Sequence, residues 1–120
     1  MIKFEEIENG VLEDISISSS TYVGMEKDSS PLLIEGSSLI FDLGCFVIEN
    51  TYIVINSENN NIKLSDLLGD KVKSAYSTEE EIKLIFISGS SISVSMKEED
   101  FRGPEAASFS PKKGNIVVFN

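Results

Sequence analysis

A chain of 120 residues is long enough for one domain with its own core, and 41% of it is apolar, the ordinary globular share. Twenty acids against ten bases give a formal charge of −10, and there is no His. This balance disfavours nucleic acid and anionic lipid as partners, and the missing His removes Ser-His-Asp and Cys-His mechanisms and His-ligated metal sites.

The charge is uneven. Residues 1–60 hold eleven acids and two Lys, a net of −9, whereas residues 61–120 hold nine acids and eight bases, a net of −1. An electrostatic contact should therefore draw its acidic face from the first half and meet a basic partner. The candidate partner-binding residues are Glu26, Asp28, Glu35, Asp42 and Glu49, with Glu13 and Asp14 as reserves. Cys45 is the single cysteine, so neither an intramolecular disulfide nor a Cys-based zinc site can form. It lies among apolar residues with no base nearby, which reads as a small core residue rather than a nucleophile. Met1 to Glu6 carries no apolar signal region, and no apolar run reaches the length of a membrane span, so the expected compartment is the cytoplasm.

Taken in order, Phe4, Ile7 and Val11 suggest a short turn or a first edge strand. Ile15 and Ile17 alternate with Ser16 and Ser18, as in a half-buried strand. Ser18 through Gly24 reads as a loop or a bulged continuation, and Glu26 to Pro31 as a turn. Leu32-Leu33-Ile34 would end one strand at Gly36, and Leu39-Ile40-Phe41 and Cys45-Phe46-Val47-Ile48 would form a hairpin across Asp42-Leu43-Gly44. Thr51 to Ile55 should continue that meander, and Asn56 to Asn61 is a surface loop. Ser65 and Gly69 bracket at most one helical turn, with Ser65 as its N-cap. Strands follow at Val72 to Tyr76, Ile82 to Ile87 and Ile92 to Met96. A short turn is expected near Lys97 to Asp100, and a last hairpin spans Ala106 to Phe119.

These signals predict a mainly β single domain over residues 1–120, built of antiparallel hairpins with one or two short helical turns; an α+β arrangement is the alternative. Leu39-Ile40-Phe41-x-x-Gly44-x-x-Val47 is echoed by Leu84-Ile85-Phe86-x-x-Gly89-x-x-Ile92, which suggests two similar meanders over about 1–60 and 61–120. Phe41, Phe86, Ile92, Val94 and Val118 are expected to point inward. The glycines form no phosphate-binding loop, and the contiguous acids Glu79-Glu80-Glu81 and Glu98-Glu99-Asp100 read as solvated turns, so neither a metal nor a cofactor is expected. Arg102 and Glu105 would pair across a structural Gly103-Pro104 turn.

Leu67-Leu68-Gly69-x-x-Val72, the Leu84 to Val94 pattern, Glu99 to Ala106 and the closing Ile116-Val117-Val118-Phe119 together give the second half a family likeness. It resembles the immunity proteins of bacterial contact-dependent growth inhibition and related polymorphic-toxin systems. The resemblance implies a non-catalytic protein that binds a cognate toxin domain and blocks it. An acidic inhibitor suits a basic, nuclease-type toxin. The alternative is a structural or regulatory β-domain that mediates protein association without a toxin.

Overall fold

The computed structural model describes residues 1–22, 32–100 and 105–120. The chain is mainly β. Sheet one takes the order β1 (Ile2–Lys3), β6 (Val72–Ser77), β7 (Glu81–Phe86), β8 (Ser91–Ser95), β5 (Tyr52–Ile55). Sheet two runs β10 (Val117–Phe119), β9 (Ala107–Pro111), β4 (Gly44–Ile48), β3 (Leu32–Phe41), β2 (Leu12–Tyr22). All pairings among the described residues are antiparallel. Among the described residues the helical segments are 3-10 turns at Glu5–Ile7, Leu64–Leu67 and Glu98–Asp100.

Alternation makes the core. In β7, Ile82, Leu84 and Phe86 are buried and the residues between them half-buried; in β4 the buried set is Gly44, Phe46 and Ile48. The two inner faces enclose a single apolar cluster. Phe4, between β1 and the first 3-10 turn, packs its ring against Phe119 at 5.0 Å, Phe109 at 5.5 Å and Phe46 at 5.9 Å.

The halves correspond in detail. Leu12 N–H donates to Asp70 O at 3.0 Å, and Val72 N–H donates to Gly10 O at 2.9 Å, the same bond with the halves exchanged. Asn9 N–H to Val72 O and Gly69 N–H to Leu12 O, both 2.8 Å, repeat the exchange. Asn9 and Gly69 share a positive φ, 69° and 85°, in matched turns after the buried Ile7 and Leu67. The register irregularity between Leu12 and Asp14 against β3 recurs between Val72 and Ser74 against β7. Each half builds a three-strand meander, β2-β3-β4 or β6-β7-β8, and sends its next strand to the other sheet. There β5 pairs with β8, and β9 with β4. Buried Asn50 sits at the first crossing, its side-chain amide donating to Ser95 O at 2.6 Å.

Several expectations need correction. Thr51 to Ile55 does not extend the first meander, because β5 lies in the opposite sheet. Ser18 through Tyr22 is strand, and β3 runs unbroken across Gly36, since each is held by ladder pairing to the other. Val118 is 44% exposed: in a three-residue strand with Phe119 inward, its neighbour faces out. Cys45 is half-buried on the outer face of β4, between the inward Gly44 and Phe46. The N-cap of the second 3-10 turn is Lys63, whose N–H is taken by Asp66 Oδ2 at 3.0 Å, not Ser65. In the sequence echo, Val47 does not match Ile92. Phe46 does, each standing opposite a matched leucine, Leu39 or Leu84. The turn at Glu26 to Pro31 and the Arg102 to Pro104 part of the last turn lie outside the described residues.

Candidate functional site

Two of the candidate acids, Glu26 and Asp28, lie outside the described residues. Glu35 is on β3, opposite Ser19 of β2. Asp42 is exposed in the β3–β4 turn, where it ties the chain together: its Oδ1 accepts the Val11 N–H at 2.9 Å, and its own N–H donates to Val11 O at 3.1 Å. Glu49 is beyond the other end of β4, about 17 Å away by strand rise. It is half-buried, and its N–H donates to Ala106 O at 2.9 Å. Burial raises its pKa, and the nearby Glu105 raises it further. Asp42 and Glu49 are thus held apart by the strand between them.

Glu13 and Asp14 are exposed on β2, Glu13 at the irregularity and Asp14 just after it. Asp14 opens onto a groove of about 810 Å³ that runs between β2, β5 and the segment from Asn61 to Leu68. Its apolar walls include Ile15, Ile17, Tyr52, Ile53, Ile62 and Leu68, with Lys63 also on the lining. Ile17 is 75% exposed, Ile53 57% and Leu68 48%, so the groove presents large apolar side chains to solvent. Tyr52 is fixed at its floor by a 3.1 Å hydrogen bond between its hydroxyl and Ser37 Oγ. Alternation placed Ile15 and Ile17 on one face; what it did not reveal is that Ile17, on that face, stands 75% exposed. The available signal was the repeat of Ile2-Lys3 as Ile62-Lys63.

One acid of each contiguous run is engaged locally. Glu81 Oε2 accepts from Ser93 Oγ at 3.1 Å, and Asp100 Oδ2 from Ser95 Oγ at 2.6 Å. Among the described residues no group of three or more His, Cys, Asp or Glu is placed to hold a metal ion, and no helix is long and apolar enough to cross a membrane. Burial raises the pKa of the Cys45 thiol against a weaker opposing effect from its Ser38 hydrogen bond. Comparison with protein-family models, curated proteins and solved structures finds no match to this chain.

Proposed function

We propose that this protein is a non-catalytic immunity protein that binds and neutralises a cognate bacterial toxin domain of basic, nuclease-type character. The observation that carries the reading is the acidic first half, −9, with Asp14 exposed on the lining of an open apolar groove and Glu13 exposed next to it in the chain. Acids of this density steer a basic surface into contact, and desolvated apolar side chains then hold it. The resemblance of the second half to immunity proteins supports the same reading. The partner is a protein rather than nucleic acid or membrane, the place of action is the cytoplasm, and inhibition is by occupation of the toxin's surface without a cofactor.

The test is co-expression with the toxin domain encoded beside this chain, followed by biosensor kinetics of the purified pair at low and high salt. The expected result is protection of growth and an association rate that falls as salt rises. Charge reversal at Glu13, Asp14, Glu26, Asp28 or Glu35 should slow association, and reversal at Glu79 to Glu81 should not. Absence of both protection and complex would refute the proposal in favour of a structural or regulatory β-domain.

A further inference from the structure

We infer that the outer edge of β2 is a docking site for one extended strand, basic and alternately apolar in sequence, supplied by a partner protein. The inference deepens the function proposed above and takes the partner's basic character from it.

The matched edge in the other sheet shows what such an edge holds. There β1 pairs with β6, Ile2 opposite Ser77 and Lys3 opposite Tyr76, and Phe4 N–H donates to Ala75 O at 2.9 Å. The residues matched to Ile2, Lys3 and Phe4 are Ile62, Lys63 and Leu64, which by the same register would face Ile17, Ser16 and Ile15. Their segment turns to β5 instead: Asn61 bridges Ile55, Ile62 N–H donates to Val54 O at 3.1 Å, and Leu64 already opens the 3-10 turn. The cause is chain continuity. β1 on β6 and β10 on β9 are two separate segments, but the single segment after β5 stands in for both and covers only one edge. Among the described residues no strand pairs with the outer edge of β2.

That edge has hydrogen-bonding capacity to offer. The Ala75 bond shows that the matched Ile15 turns its backbone groups away from the neighbouring strand, and Ile15 N–H is indeed taken by Asp14 Oδ1 at 2.8 Å. Two residues on, Ile17 has the same orientation, with N–H and C=O both outward. Its side chain lies on the inner face, yet it is 75% exposed. An incoming strand would satisfy these groups and lay alternate apolar side chains over Ile17 and Ile62. Basic residues between them suit Glu13 and Asp14 at the head of the edge. A second copy of the chain, itself at −10, is the electrostatically poorer occupant.

The test uses the full chain, 15N-labelled, titrated with a blocked hexapeptide alternating lysine and isoleucine. Amide shifts confined to Asp14 through Tyr22 and Ile62 through Leu68 are expected, with a glutamate–isoleucine peptide binding at least about tenfold more weakly. Ile17→Pro removes an outward N–H at an edge where Pro is tolerated, so this variant should keep its dispersed spectrum and lose at least about tenfold in peptide affinity. If Ile17→Pro perturbs the fold, Ile17→Lys, which keeps the backbone donor but sets a charge against the peptide's inward isoleucines, should show the same loss. Shifts centred elsewhere, equal binding of both peptides, no binding at millimolar peptide, or self-association through β2 would each overturn the inference. A toxin domain that binds the Ile17→Pro protein as tightly as wild type would refute the strand site and leave the immunity reading standing. Peptide binding at β2 without any toxin complex would do the reverse.

Discussion

Phe41 and Phe86 stack across the sandwich with ring centroids 6.5 Å apart and planes 19° from parallel. Each is the last residue of its strand, and each stands opposite the first residue of a matched irregularity, Leu12 or Val72. The pair therefore sits where the two halves meet. Truncating either ring to Ala should cost about 3–5 kcal/mol, because both are fully enclosed. The double variant should fall short of the sum by about 0.5–1.5 kcal/mol, the part the rings share. Urea unfolding of the four proteins checks both figures, and a single loss below about 1 kcal/mol would contradict the enclosure.

Two glycines should respond in opposite ways. A Cβ at Gly44 would collide with Ser110 O and approach Pro111 Cα to 2.7 Å, both backbone atoms of β9. Gly44→Ala should cost about 1–3 kcal/mol, since the ladder must shift to admit it. Gly69 has φ +85° and open space around it, and its counterpart in the other half is already an asparagine, Asn9, at φ 69°. Gly69→Asn should stay within about 0.5 kcal/mol of wild type, as asparagine is among the few residues at ease there. Thermal unfolding of the two variants separates the cases.

Glu49 should make the protein less stable as pH rises. Its folded pKa lies above the ordinary glutamate value through burial first and Glu105 second. The folded state therefore holds this proton more tightly than the unfolded chain. The cost of ionising the group appears as pH climbs from the unfolded value through the folded one, and is complete above it. Glu49→Gln should raise stability at pH 7 by less than about 1 kcal/mol, water still screening a half-buried group, and the gain should vanish at acid pH. Urea midpoints across the range from pH 3 to pH 7, on both proteins, provide the check. A gain that persists at low pH would mean the charge is not responsible.

Asp42 should matter to stability before it matters to binding. Its carboxylate accepts the Val11 N–H, at the junction where β2 begins. Asp42→Ala should cost about 1 kcal/mol, while Asp42→Asn, which keeps an acceptor oxygen, should retain most of that. Equal losses for the two would show that the charge, not the hydrogen bond, stabilises the junction.

The strands with clean alternation were legible in the sequence, and those embedded in continuous apolar runs were not. Ile82, Leu84 and Phe86, or Ile92 and Val94, declare their inner face because period two is uninterrupted. Cys45 and Val118 lie in runs with no polar neighbour to mark the outer face, so their orientation waits on pairing. The pattern of Thr51 to Ile55 fits a strand in either sheet, and only the crossing at Asn50 decides which. The acids were visible as a charge excess, but their grouping was not: β4 separates Asp42 from Glu49, whereas Asp14 comes to border the groove. The groove itself depends on one short segment choosing β5 over β2, a competition between two edges that spacing alone does not express.

The crossed strands have a consequence for how this chain comes apart. Each half lacks, within itself, the strand that neighbours its own β4 or β8, and receives it from the other. Melting the second half would strip β9 and β10 from the first half's sheet, and melting the first would strip β1 and β5 from the second's, so no partly folded form keeps a whole sheet. Loss of structure should then be a single cooperative event. A nick in the tight turn between Asn56 and Asn60 would leave two fragments, each needing strands of the other to complete its sheet, like two hands that close into one grip.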